Sequence, residues 1–138
     1  MSLTSSKTAL GVLGFDNALL PVGDLPEAVA FYERAGFPVT FRLDEAGIAL
    51  LGAGGETPGL LLRTEEGFGP RPVPWPAARL WLEVRDARAT ARALSEAGIE
   101  PLAPPLSTST GYVVEIADPW GNVIGFTDYA KRPELARS

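Results

Sequence analysis

The chain has 138 residues, a formal net charge of −5, 46% hydrophobic residues, and neither cysteine nor histidine. Such a composition suits one domain with a real core. It excludes disulfides, thiolate metal sites, cysteine nucleophiles and every histidine-based triad, and it removes the commonest metal ligand and general base.

The lysines and arginines are scattered through an acidic chain, so nucleic acid is not an expected partner. No apolar run reaches the roughly 20 residues that span a bilayer, so no membrane partner is expected either. Residues 1–14 lack the apolar stretch of a signal peptide and read as a flexible lead-in. With no cysteine present, a cytoplasmic location is expected.

In chain order, residues 15–22 (FDNALLPV) read as a strand. Asp24 follows as a helix N-cap, with Pro26 and Glu27 in the first turn. Leu25, Ala28, Val29, Tyr32 and Ala35 then form an amphipathic stripe, and Gly36 ends the helix. Three short strands are expected over 37–43, 47–51 and 59–63. Residues 64–77, rich in Gly and Pro and carrying Phe68 and Trp75, read as a linker. A strand over 78–84, a second helix over 87–97 capped by Asp86 and closed by Gly98, and a strand over 99–102 come next. A polar loop, 104–110, leads to a hairpin whose strands, 112–117 and 123–127, are joined by Asp118-Pro119-Trp120-Gly121-Asn122. Residues 130–138 form a tail.

The two halves repeat. Leu20, Val22, Asp24, Ala35, Gly36 and Gly59 each precede Leu82, Val84, Asp86, Ala97, Gly98 and Gly121 by 62 positions. A constant offset across strand, cap, helix end and late turn marks a duplication that sets the architecture. Each half reads βαβββ. The expected fold is α+β: one domain over 15–129, built from modules 15–63 and 78–129, whose sheet forms a curved cup with helices on its convex face.

The segments VGDLPEAVAFYERAGF, LWLEVRDARATARALSEAGI and DPWGNVIGF resemble the glyoxalase / bleomycin-resistance / extradiol dioxygenase (vicinal oxygen chelate) superfamily. The resemblance covers roughly residues 15–129. It implies a fold more firmly than a reaction, because this fold hosts unrelated functions.

Strand alternation assigns the lining of the cup. Ala18, Leu20 and Val22 pack under the helix, which leaves Asn17, Leu19 and Pro21 inward. Leu80, Leu82 and Val84 pack outward, which leaves Arg79, Trp81 and Glu83 inward. Glu115 and Gly125 face inward with Val113 on the mixed face of the hairpin, and Arg63 joins them as the repeat partner of Gly125. The resemblance implies a divalent metal at the positions that Asn17, Arg63, Arg79 and Gly125 occupy here. An amide, two guanidiniums and a glycine are poor ligands, so no metal and no cofactor is expected. A rescued metal site would need Glu83 and Glu115.

The candidate ligand-binding residues are therefore Asn17, Arg63, Arg79, Trp81, Glu83, Val113, Glu115 and Gly125. Trp81 offers a flat face for stacking. Arg63 and Arg79 either clamp an anionic group or are neutralised by Glu83 and Glu115. The expected function is metal-independent binding of a small molecule, as in the bleomycin-resistance branch, which sequesters an antibiotic in grooves between two subunits. That resemblance also implies a homodimer. Two alternatives stay open: a lyase or isomerase using Glu83 or Glu115 as base, and a sensing or scaffold module with a degenerate cup.

Overall fold

A computed structural model describes residues 16–65 and 79–137. The lead-in 1–14, Phe68 and Trp75 lie outside the described residues.

The elements run β1 (Asn17–Val22), α1 (Leu25–Arg34), β2 (Val39–Leu43), β3 (Ile48–Ala53), β4 (Glu56–Thr64), β5 (Leu80–Glu83), α2 (Ala87–Glu96), β6 (Leu106–Ser107), β7 (Tyr112–Ala117) and β8 (Val123–Thr127). They form two four-stranded mixed sheets, ordered β1-β4-β3-β2 and β5-β8-β7-β6. This is the expected α+β fold of two βαβββ modules, with one sheet per module. In each sheet the first strand of the module pairs in parallel with the last. No helix among the described residues is long and apolar enough to cross a membrane.

The two helices start and stop for the same local reasons. The Asp24 carboxylate accepts from the Glu27 amide at 2.8 Å, and that of Asp86 accepts from Arg88 and Ala89 at 3.0 and 3.1 Å. Gly36 and Gly98 stop them at φ 96° and 85°, a left-handed conformation that penalises any side chain. α1 buries Leu25, Ala28, Val29, Phe31 and Tyr32. These pack on Leu20, Val22, Leu51, Leu60 and Leu62, and each leucine so buried contributes roughly 1.5–3 kcal/mol. In the second module Ala91 and Leu94 meet Val114, Ile116, Ile124 and Phe126.

One core runs through both modules. The Tyr32 hydroxyl of α1 donates to Asp118 Oδ2 at 2.8 Å, in the β7–β8 turn. Asn122 Nδ2 of that turn donates to the Pro21 carbonyl at 2.9 Å, and the rings of Phe37 and Phe126 lie 6.1 Å apart. Asp118 Oδ1 also accepts from the amides of Trp120 and Asn122, both at 2.9 Å, which fixes the turn, and Trp120 is buried beside it. Its DPWGN sequence therefore serves the hairpin and the contact between modules together.

Two expectations are corrected. The strand expected over 99–102 is absent; Leu102 donates one bond, to the Glu115 carbonyl at 2.8 Å, and the sixth strand is Leu106–Ser107 instead. Pro101, Pro104 and Pro105 carry no N–H, so the chain cannot lay a ladder on β7 until it has passed them. The repeat is also not constant in register. Asn17 pairs with Gly59 and Leu19 with Leu61, whereas Leu80 pairs with Ile124 and Trp81 with Gly125. The counterpart of Gly125 is thus Leu61, not Arg63, and Gly59 lies in a strand while Gly121 lies in a turn.

Candidate functional site

β5, β8 and β7 lie side by side, and their register sets Trp81, Gly125 and Glu115 in one row across the sheet. Alternation turns Leu80 and Leu82 toward the core and leaves Trp81 on the opposite face, 48% exposed. The indole lies directly on Gly125, where a Cβ would stand 2.4 Å from Trp81 Cδ1 and 2.7 Å from Nε1. Any other residue at 125 would push the ring off the sheet.

The ring is also fixed by a hydrogen bond. Trp81 Nε1–H donates to Glu115 Oε2 at 2.8 Å, and Arg79 Nη1 donates to the other oxygen, Oε1, at 2.5 Å. Arg79 and Glu115 are mostly buried, at 24% and 19% side-chain exposure. Their charges compensate each other where solvent screening is weak. A backbone seat, a hydrogen bond and an ion pair behind it therefore set the plane of the indole, and nearly half of the residue's surface remains open.

Glu83 and Val113 belong to the next row, on either side of Thr127. Val113 is buried. The Glu83 carboxylate accepts from both the backbone N–H and Nη1 of Arg137, each at 3.0 Å. Trp81 and Glu83 line a cleft of about 550 Å3 together with Phe37, Gly54, Phe126 and Arg137.

The remaining two candidates lie in the other sheet. Asn17 Nδ2 donates to Asp16 at 3.0 Å. Arg63, 54% exposed, pairs with Glu65 at 3.4 Å. The structure thus brings Arg79, Trp81, Glu115 and Gly125 into one contact set, with Glu83 and Val113 beside it. Asn17 and Arg63 have partners of their own. Of the two expected neutralising carboxylates, Glu115 pairs with Arg79, whereas Glu83 pairs with Arg137 and Arg63 pairs with Glu65 instead.

Sequence reasoning missed three participants. Glu65 falls in the stretch whose composition marks a linker. Arg137 lies 54 residues from its partner, and no local pattern marks such a pair. The third is an apolar row, Leu19–Leu61–Leu50–Phe41, which crosses the first sheet in register on the face away from α1, with Leu19 45% and Phe41 50% exposed. It was legible in outline from alternation in β1, but not as a row, because the pairing partners were unknown.

The residues present do not suit a divalent ion. Asn17, Arg63, Arg79 and Gly125 offer a single amide oxygen between them, and a guanidinium already holds Glu115. Among the described residues no three carboxylates stand together as a metal cluster would require.

Two βαβββ modules with helices on one face of each sheet and an open opposite face define a recognised class of fold. The chain belongs to the glyoxalase/bleomycin resistance protein/dioxygenase superfamily, whose model matches residues 14–126. Among solved structures it is similar to a glyoxalase/bleomycin resistance protein/dioxygenase from Alicyclobacillus acidocaldarius, at 17% identity over 90% of this chain and 97% of that one, with a TM-score of 0.70. It is also similar to one from Nocardioides, at 20% identity over 96% and 94% with a TM-score of 0.65. A bleomycin resistance determinant encoded on the transposon Tn5 matches at 24% identity over 85% and 98%, with a TM-score of 0.63. At these identities the likeness concerns the fold. No curated protein matches the chain in sequence.

Proposed function

We propose that this protein binds a planar aromatic small molecule without a metal, stacking it on Trp81. The observation that supports this reading is the indole itself, seated on Gly125 and hydrogen-bonded to Glu115, with its surface half open. A ring held in place before the ligand arrives loses little freedom on binding, so more of the stacking energy appears as affinity. The similarity to a bleomycin resistance determinant is in keeping with sequestration of an antibiotic or another aromatic compound.

A carboxylate base fits less well. Glu115 already accepts from Trp81 and Arg79, and Glu83 accepts twice from Arg137, so the oxygens that a base would turn to a substrate are engaged by the protein's own donors. The same reading includes a homodimer, in which a second copy covers the Leu19–Phe41 row. It also includes a reducing, cytoplasmic setting, in keeping with a chain that carries no cysteine.

The test is fluorescence quenching and thermal shift with a panel of aromatic compounds that includes bleomycin, on wild type and Trp81→Ala. Binding that disappears in the variant supports the reading. A panel that leaves fluorescence and melting temperature unchanged, or binding that survives Trp81→Ala, sinks it.

A further inference from the structure

We propose that Glu83 is the recognition point for a cationic arm of the ligand, a guanidinium or amidinium, and that Arg137 of the protein's own tail fills it in the free state. The inference rests on the proposed stacking of an aromatic ligand on Trp81 and specifies the chemistry of that ligand.

Three observations carry it. The first is position. Glu83 follows Trp81 by two residues on β5, so the two side chains leave the same face of the strand roughly 6.6 Å apart, about the reach from a ring to a substituent. Both line the cleft of about 550 Å3 between the modules.

The second is the chemistry of the present occupant. Glu83 is 17% exposed at its side chain, and Arg137 supplies it with a guanidinium and an N–H donor. A carboxylate this far from water calls for a cationic partner, and the tail shows which kind the site accepts.

The third is how the tail is held. Every residue from 130 to 137 is exposed, and the Arg137 side chain is 69% exposed. Lys131 anchors the segment through its amide to the Thr110 carbonyl at 3.0 Å and through Nζ to the Thr108 carbonyl at 2.9 Å. Lys131 thus fixes the segment at a point separate from the Glu83–Arg137 contact, which is the contact a cationic ligand would displace. A second cavity, of about 560 Å3 and lined by Arg85, Tyr129, Pro133 and Ala136, lies against the same Glu83–Arg137 pair. Glu83 and Arg137 thus line both spaces.

The tail is then an internal competitor. An ion pair with one exposed partner is weak, so its removal is expected to raise the affinity for a cationic ligand only about two- to fivefold. The experiment is calorimetric titration of the full chain with benzamidinium and with its neutral counterpart benzamide, on wild type, Arg137→Ala and Glu83→Gln. Benzamidinium is expected to bind more tightly than benzamide to wild type. Arg137→Ala should strengthen benzamidinium by that factor and leave benzamide unchanged, and Glu83→Gln should erase the preference. The proposal is overturned if Arg137→Ala moves both probes equally or neither, or if Glu83→Gln keeps the preference. Benzamide binding that is lost in Trp81→Ala would in that case leave the stacking reading standing. If neither probe binds wild type or Arg137→Ala, both readings fall together.

Discussion

Tyr32 and Asp118 are 86 positions apart in sequence and 2.8 Å apart in the fold, where a buried phenol on the first helix donates to a buried carboxylate in the last turn. Burial, then the charge of Asp118, pushes the Tyr32 hydroxyl far above its ordinary pKa, so it remains a donor throughout the accessible pH range. Tyr32→Phe removes the donor and leaves the ring packing intact. The expected cost is about 1.5–3 kcal/mol, the range for a hydrogen bond to a charged group. Urea unfolding is the measurement, and a midpoint equal to wild type would show that the bond does not tie the modules together.

Gly125→Ala tests the seat of the indole. The added methyl meets Trp81 Cδ1 and Nε1, so the ring swings away and its bond to Glu115 is lost. A stability loss of about 1–3 kcal/mol is expected from the overpacking. Aromatic binding should weaken about tenfold, which is one stacking contact of about 1.4 kcal/mol. Fluorescence titration against wild type reads the second effect apart from the first.

Asp128 is expected to contribute to stability on the acid side. Burial pushes its carboxyl upward, but amides of Ala87, Ala130 and Tyr112, with the Arg88 guanidinium nearby, outweigh burial and hold it below its usual value. The unfolded carboxyl titrates at about 3.9. Because the folded value is lower, the contribution is complete above that pH and drains away as pH falls through the folded value. Asp128→Asn should therefore cost about 1–3 kcal/mol at neutral pH and flatten the fall in stability below about pH 4. Urea melts at a series of pH values compare the slopes, and parallel curves would remove Asp128 from the acid transition.

Phe41→Asp tests the proposed dimer. Phe41 stands at the end of the row that begins at Leu19 and is half exposed, so the substitution should change the stability of the single chain by no more than about 0.5 kcal/mol. A charge buried against a second copy would not be tolerated. Light scattering should give twice the 14.6 kDa chain mass for wild type and one chain mass for the variant. A wild type that already runs as one chain contradicts the dimer.

Local features of the fold were legible because their causes are local. The 62-residue offset carries the caps, stripes and stop glycines, and the two helices indeed start at Leu25 and Ala87. The register was not legible. β4 and β8 are aligned two residues differently on their partners, and identity at a fixed offset cannot report which residue lies opposite which. The strand misplaced at 99–102 failed for a different reason, since its apolar residues outweighed three prolines in the reading although a ladder needs N–H groups. At the site, Trp81 and Gly125 followed from alternation alone. The pairing of Glu83 with Arg137 did not, because such a pair depends on where the tail returns.

The parallel pairing of first strand with last also orders events in time. Asn17 finds its neighbour only when Gly59 has been made, and Leu80 must wait for Ile124. During synthesis the first sheet can therefore close well before the second, but the hydroxyl of Tyr32 meets Asp118 only when a further 86 residues have left the ribosome. Contacts of such long sequence separation slow the final step of folding. The nascent first half must meanwhile keep its Tyr32 face from other chains until its own later half arrives.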